Sequence, residues 1–299
     1  MTDQSCHGVI RNYGNNPSIK QNLYQIYASG QRRLSIQQTW LHELQVCSGD
    51  PTAIGFNFSS DLTNVDQQYI DNFKQYITDA KAIGFQEFDV ILGPLWNNNA
   101  QDAWPTFEWG SNNPNGIDYY AENIATIKLF RNLLVSLGVP YRIILQDEPF
   151  HESIDEAVEE QYVAHIWQDY VSAFGLSDTC GVTIASGTTG DPTHEAIQLN
   201  TFLSIVDSAH LGRPNFYCFN EFSDDSGKSY TRFHQALSAK GVSPSVPVIV
   251  TSTYYNDARN ASLLRQASNS TGRQILYLMQ WVMNDPSMTA FNNYKAQGF

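Results

Sequence analysis

The chain has 299 residues, of which 30 are acidic and 17 basic, so its net charge near neutral pH is −13. Such a surface would repel a phosphate backbone, which argues against nucleic acid as a partner. No segment approaches the roughly 18 consecutive apolar residues of a membrane-spanning helix, so the sequence predicts no membrane span. The 42% of hydrophobic residues are enough for a sizeable globular core.

The cysteines and the N-terminal segment bear on metals and on the cellular compartment. Cys6, Cys47, Cys180 and Cys218 show neither CxxC nor Cys/His ligand spacing, so no structural metal is predicted. No Gly-rich phosphate loop or dinucleotide fingerprint is present, so the sequence predicts no cofactor. The first residues, MTDQSCHG, lack a basic and hydrophobic leader, whereas several Asn-X-Ser/Thr sequons slightly favour a secreted protein. The compartment and the oligomeric state stay open.

Short apolar segments of strand type alternate with helical segments along the whole chain. In chain order, the eight predicted strands are residues 7–13, 33–40, 87–92, 141–146, 181–186, 215–219, 247–251 and 274–281. Between them, stretches such as 119–137 and 158–174 carry apolar residues on one helical stripe. Several of these stretches end at a glycine just before the next strand, as helices with a left-handed C-terminal residue do.

Eight strand–helix units in fewer than 300 residues predict an α/β fold, a single (β/α)8 TIM barrel that forms one domain over residues 1–299. An open doubly wound sheet shares the alternation, but it would place a Gly-rich loop after the first strand, where Arg11, Asn12, Tyr13 and Gly14 stand instead. Barrel enzymes carry their chemistry at the C-terminal ends of the strands.

The fourth predicted strand ends in two adjacent carboxylic acids. It reads YRIILQDEPF, so Asp147 and Glu148 follow directly after its apolar residues. Carboxyl groups at the catalytic rim of a barrel are suited to acid/base chemistry. Acidic residues also favour the start of a helix, but Glu152, Asp155 and Glu156 serve that purpose beyond Pro149. The pattern favours Glu148 as a catalytic acid/base and Asp147 as its auxiliary.

The seventh predicted strand ends in hydroxyl groups rather than in an acid. It reads PVIVTSTYYND, with Thr251, Ser252 and Thr253 after the apolar run. Together, Gln146-Asp147-Glu148-Pro149 and Pro247 to Tyr254 resemble the two catalytic strands of retaining clan A glycoside hydrolases. The resemblance implies a (β/α)8 barrel, a carbohydrate substrate, Glu148 as the general acid/base and position 252 as the nucleophile.

Two positions depart from the pattern that this resemblance implies. Asp147 stands where the family carries Asn, and Ser252 stands where it carries the nucleophilic Glu. A serine hydroxyl without a base partner cannot replace a carboxylate nucleophile, because its ionisation lies far above working pH. Three interpretations stay open: a variant with its nucleophile inactivated, a relative that binds carbohydrate without cleaving it, or a catalytic pair located elsewhere.

The third interpretation takes two forms. Glu221, near the end of the sixth predicted strand, could act as the partner of Glu148. Alternatively, Asp147 and Glu148 resemble the adjacent pair of hexosaminidases that use the substrate's own acetamido oxygen as nucleophile. In that case Glu148 is the acid and Asp147 orients the acetamido group.

Aromatic and polar side chains near the predicted strand ends suggest a sugar-binding surface, since aromatic rings stack on sugar faces. The predicted substrate-binding residues are Trp96, Trp281, Tyr254, Tyr255, Arg11, Asn12, Gln37 and Asn220. The resemblance supports Trp281 in particular, because clan A barrels commonly place a Trp at the end of the eighth strand.

Overall fold

This computed structural model describes residues 10, 13–41, 54–55, 67–94, 98–100, 118–150, 156–186, 194–223, 225–253, 258–280 and 288–299. In these residues helices and strands alternate. The elements are α1 (Pro17–Ala28), β1 (Arg33–Leu41), β2 (Ile54–Gly55), α2 (Gln67–Ile83), β3 (Glu87–Pro94), α3 (Tyr119–Leu137), β4 (Tyr141–Gln146), α4 (Glu156–Phe174), β5 (Thr179–Ala185), α5 (His194–Ala209), β6 (Tyr217–Glu221), α6 (Ser226–Ala239), β7 (Val248–Thr253), α7 (Ala258–Thr271), β8 (Ile275–Gln280) and α8 (Met288–Ala296).

Seven of the eight predicted strands coincide with observed strands, namely β1 and β3 to β8. The first predicted strand covers residues 7–13, of which the structure describes residues 10 and 13, and these two are not in a strand. Ile10 and Tyr13 lie in a turn, and the Tyr13 N–H donates to the Ile10 carbonyl oxygen at 3.1 Å. Asn16 and Pro17 explain the turn, since Asn16 caps α1 and Pro17 is its first residue. The two-residue strand β2 is not predicted from the sequence.

The described residues form two compact units. In the first unit the strands are parallel, with β1 between β2 and β3, and β3 paired with β4. The pairing of β1 with β3 extends over eight residues, from Arg33 opposite Glu87 to Trp40 opposite Pro94. Both faces of β3 are buried from its second residue onward, which is the burial expected for a parallel strand covered by helices.

The second unit contains β5 to β8 as a row of parallel neighbours, together with residues 146–150. Every residue of β6 and β7 is buried. A disulfide between Cys180 of β5 and Cys218 of β6 crosslinks two adjacent strands. The pairing of β6 with β7 shifts by one residue, because Phe219 is opposite Val250 whereas Asn220 is opposite Ser252.

Local signals explain where the helices begin and end. Asp118 caps α3 by accepting a hydrogen bond from the Ala121 N–H, and Asp225 caps α6 by accepting one from the Lys228 N–H. Gly138 ends α3 in the left-handed conformation with φ of 59°, which a side chain would make costly. The predicted glycine stop is confirmed there.

A buried arginine holds the segment that leads into β7. The guanidinium of Arg273 donates to the carbonyl oxygens of Val242, Ser243 and Val246 at 3.0, 2.9 and 2.7 Å. Its own carbonyl oxygen accepts from the hydroxyl of Tyr230 at 2.9 Å. One side chain therefore fixes the connection between α6 and β7 and, through it, the strand that carries Ser252.

No helix in the described ranges has both the length and the apolar character to cross a membrane. The division into one domain over residues 1–299 stays a prediction.

Candidate active site

The C-terminal end of β4 carries the two adjacent acids predicted from the sequence. Asp147 and Glu148 are partly exposed, whereas Gln146 before them and Pro149 after them are buried. The backbone of Glu148 has φ of 41°, the left-handed region that residues with a side chain rarely adopt. Strained backbone of this kind persists where surrounding contacts hold it, and it is frequent at active sites.

Thr183 of β5 holds this strained backbone in place. Its hydroxyl accepts from the Glu148 N–H at 2.6 Å and donates to Oδ1 of Asp147 at 2.7 Å. One side chain thus fixes both the backbone of Glu148 and the carboxyl group of Asp147. The conformation of the pair is set by contacts rather than by its own sequence.

Asn220 of β6 bonds to both acids at once. Its Nδ2 donates to Oδ1 of Asp147 at 3.0 Å and to Oε1 of Glu148 at 2.7 Å. On the other side of the amide, the hydroxyl of Thr251 in β7 donates to Oδ1 of Asn220 at 2.6 Å. The two carboxyl groups therefore share one amide group, and residues from β5, β6 and β7 surround them.

The shared position perturbs the ionisation of both acids. The pKa of Glu148 is raised to about 7, because burial and, to a smaller extent, the negative charge of Asp147 outweigh the opposing hydrogen bond from Asn220. Burial also raises the pKa of Asp147, while hydrogen bonds from Thr183 and Asn220 favour its ionised form. A carboxyl group with a pKa near 7 is partly protonated at neutral pH and can donate that proton.

Ser252 lies on β7, directly opposite Asn220 in the sheet. The residue before it, Thr251, bonds to the Asn220 side chain, which in turn bonds to Glu148, so Ser252 lies next in the chain to a residue that contacts the site. Ser252 is 4% exposed, and its hydroxyl oxygen has no hydrogen-bond partner among the described residues. An unbonded buried hydroxyl is costly, which makes position 252 notable beyond its place in the sequence pattern.

Glu221 follows Asn220 on β6 and points to the opposite face, as successive strand residues do. Its carboxylate accepts from the backbone N–H of Ser223 at 2.8 Å and from the Ser223 hydroxyl. The acid that acts on Glu221 electrostatically is Glu195 of α5, whose carboxylate is paired with Arg232. The structure therefore does not bring Glu221 together with Glu148, because the alternation of β6 separates them.

We expect Glu221→Gln to change how stability depends on pH. Burial outweighs the hydrogen bonds from Ser223, so the pKa of Glu221 is raised to about 7, whereas the unfolded chain releases this proton at about pH 4.3. Between these two pH values the folded state keeps a proton that the unfolded state has lost, so the contribution of Glu221 to stability decreases as pH rises. Relative to the parent, Glu221→Gln should gain about 2 kcal/mol of unfolding free energy between pH 5 and pH 8. Denaturant unfolding of the parent and of Glu221→Gln at both pH values measures this. The prediction is contradicted if the two proteins differ in unfolding free energy by the same amount at pH 5 and at pH 8.

Of the remaining predicted substrate-binding residues, Gln37 lies in the described ranges and the other six do not. Gln37 lies in β1 of the first unit, where it is 8% exposed and its carbonyl oxygen accepts from Nε2 of Gln38. Outside the described residues lie Arg11, Asn12, Trp96, Tyr254, Tyr255 and Trp281. Their roles stay predictions.

Two residues of the site are not predicted from the sequence. Thr183 stands inside the mostly apolar strand β5, TCGVTIA, where a hydroxyl between apolar residues is the only signal. Thr251 belongs to the run of hydroxyls at the end of β7, but nothing in the sequence connects it with Asn220. Among the residues that the structure describes, no cluster of three or more His, Cys, Asp or Glu side chains could hold a metal ion.

No known protein family and no curated protein matches the sequence of this chain. Solved structures do resemble it. A family 5 xyloglucanase from Paenibacillus pabuli has a TM-score of 0.54 at 7% identity, over 93% of this chain and 90% of that one. A GH113 β-1,4-mannanase has 0.52 at 8% identity, over 93% and 92%. The catalytic domain of a mannanase from Streptomyces sp. SirexAA-E has 0.51 at 13% identity, over 90% and 73%.

At these identities the likeness concerns the fold. The chain has the α/β barrel fold of these glycoside hydrolases, and the predicted fold class is confirmed. The match extends over nine-tenths of the chain, so it concerns the fold as a whole rather than one motif.

Proposed function

We propose that the chain is a glycoside hydrolase in which Glu148 is the general acid for cleavage of O-glycosidic bonds. The observation that carries the proposal is the state of Glu148 at the end of β4: a partly exposed carboxyl group whose pKa is raised to about 7. Such a group keeps its proton near neutral pH and can pass it to the leaving oxygen of a sugar. The position also supports the role, since barrel enzymes place catalytic groups at the C-terminal ends of their strands.

The second catalytic position of this proposal is residue 252. Retaining hydrolysis needs a carboxylate that attacks the anomeric carbon while the acid protonates the leaving group. Ser252 is the register partner of Asn220, whose side chain bonds to Glu148, and this pairing supports position 252 as the equivalent of the nucleophile position. The hydroxyl has no base to activate it among the described residues. We therefore propose that the chain as it stands is a nucleophile-deficient retaining glycosidase that binds glycans and cleaves them slowly.

The substrate that we propose is an oligo- or polysaccharide. The resembling structures are named as xyloglucanase and mannanases, and one of a β-mannanase from Streptomyces thermolilacinus contains mannohexaose. These names support a chain of linked neutral sugars as the first substrate class to test.

One observation favours a second function, acetamido-assisted cleavage of N-acetylhexosaminides. The Asp147 carboxyl group is partly exposed and shares the Asn220 amide with Glu148. A carboxylate beside the general acid is suited to orient an acetamido group that attacks in place of a protein nucleophile. This function needs no carboxylate at position 252.

We expect Glu148→Gln to abolish residual cleavage while leaving glycan binding within a few-fold of the parent. Gln keeps the shape and the hydrogen bond to Asn220 but has no proton to donate, so hydrolysis of poor leaving groups should fall roughly 100-fold or more. Calorimetry with manno-, xylogluco- and N-acetylglucosamine oligosaccharides measures binding, and aryl glycosides measure turnover.

Glu221→Gln is the matched control, because it removes a buried acid one residue from Asn220 on the other face of β6. Its rate should equal that of the parent. Rapid cleavage of aryl N-acetylhexosaminides by the unmodified chain, lost in Asp147→Asn, would support the second function instead. Absence of binding to every glycan in the panel would contradict both.

A further inference from the structure

The pairing of β6 with β7 shifts by one residue at Asn220. Because the register shifts after Phe219, Ser252 rather than Thr251 is the partner of Asn220. Thr251 nevertheless bonds to the Asn220 side chain, with its hydroxyl 2.6 Å from Oδ1. A one-residue shift of this kind re-aims side chains, and such shifts are frequent beside active sites.

The hydrogen bonds to Thr251 and to the two acids are consistent with one orientation of the Asn220 amide. An amide oxygen can only accept and an amide nitrogen can only donate. With its oxygen bound to the Thr251 hydroxyl, Asn220 presents Nδ2 to Asp147 and Glu148, and each of its two hydrogens has one carboxyl oxygen as acceptor. In the reverse orientation, the amide oxygen would face two carboxyl groups, an arrangement that is favourable only if both are protonated.

The donors that reach the pair are divided unequally. Oδ1 of Asp147 accepts from Thr183 and from Asn220, whereas Oε1 of Glu148 accepts from Asn220 alone. Hydrogen bonds to a carboxyl oxygen favour the ionised form, so the additional donor places the negative charge on Asp147. The single proton of the pair then belongs to Glu148.

We infer that Thr251 is a positioning residue that acts through Asn220 and holds its amide nitrogen toward the Asp147–Glu148 pair. This inference rests on the proposed function for its catalytic meaning. The only charged group that raises the pKa of Glu148 among the described residues is Asp147. The strands beside the pair contribute hydroxyl and amide groups that do not titrate: Thr183 from β5, Asn220 from β6 and, through Asn220, Thr251 from β7.

We expect Thr251→Val to raise the apparent pKa values of the pair by about one unit. Valine has the shape of threonine without the hydroxyl, so the Asn220 amide loses the contact that orients it, and the carboxyl groups lose part of their N–H donation. Titration of the protein with 13C-labelled Asp and Glu side chains, followed by NMR, measures the change directly.

Thr253→Val is the matched control on the same strand. Thr253 is as deeply buried as Thr251, at 1% exposure, but its hydroxyl has no partner in the described residues, so this variant should titrate like the parent. Thr251→Ser keeps the hydroxyl and should restore the parental values, which separates the lost hydrogen bond from any general loosening of the strand.

The readout requires no turnover, so it separates this inference from the proposed function. Parental pKa values in Thr251→Val, or an equal shift in Thr253→Val, would overturn the role of Thr251 even if the chain cleaves glycosides. A shift confined to Thr251→Val supports it even if no glycoside is cleaved, in which case the proposed function alone is lost.

Discussion

Ser252→Glu should produce retaining glycoside hydrolysis, with a rate increase on the order of 10,000-fold over the unmodified chain, as expected when a missing catalytic group of an interdependent set is restored. The new carboxylate would stand on the register partner of Asn220, the residue whose amide bonds to Glu148. A nucleophile and a proton donor then act on one glycosidic bond. Initial rates on a broad panel of aryl glycosides, with the product anomer followed by NMR, measure the gain and the stereochemical outcome.

The control for this experiment is Ser252→Gln, which has the size of glutamate without its charge. Gln cannot attack the anomeric carbon, so this variant should stay at the parental rate. Equal rates for Ser252→Glu and Ser252→Gln across the panel would show that position 252 is not the nucleophile position. A gain with inversion of the anomer would contradict the retaining mechanism while leaving Glu148 as the acid.

Arg273→Met should lower the free energy of unfolding by about 3 kcal/mol. Arg273 is fully buried, and its guanidinium bonds to three carbonyl oxygens between α6 and β7. Methionine fills much of the volume but donates nothing, so these carbonyl groups lose their partners and the start of β7 loses its anchor. Guanidinium chloride unfolding followed by circular dichroism measures the loss.

Arg265→Met is the comparison for Arg273→Met. Arg265 also donates to two carbonyl oxygens, those of Gln297 and Gly298, and it stacks on Phe299. It is partly exposed and its partners are the last residues of the chain, so its loss should cost less than about 1 kcal/mol. If the two variants lose the same free energy of unfolding, the burial of Arg273 does not make its hydrogen bonds more stabilising than those of Arg265.

The fold follows from the sequence because its signals are local and repeated. Apolar segments such as 87–92 and 141–146 each form a parallel strand, and Gly138 ends α3 as its position predicts. The first predicted strand fails for an equally local reason. Asn16 and Pro17 start a helix soon after it, and the described part of the segment is a turn.

The sequence predicts the two acids of the site but not the contacts that hold them. Asp147 and Glu148 stand together in the chain, so their position at the end of β4 reveals them. Thr183 and Asn220 contact the pair and Thr251 contacts Asn220, through side chains that are 31 to 73 residues apart in sequence, and only the pairing of β5, β6 and β7 brings them together. Glu221 is visible in the sequence as a candidate acid, but the alternation of β6 places its side chain on the face opposite to that of Asn220.

The rate of Ser252→Glu on an aryl glycoside with a poor leaving group, measured against pH with and without Glu148→Gln, tests the role of Glu148 most directly. A general acid must be protonated to act, so the rate of Ser252→Glu should fall as pH rises through about 7. Glu148→Gln should remove that decline together with most of the rate. If the double variant is as fast as Ser252→Glu, with the same pH profile, Glu148 is not the acid of this site.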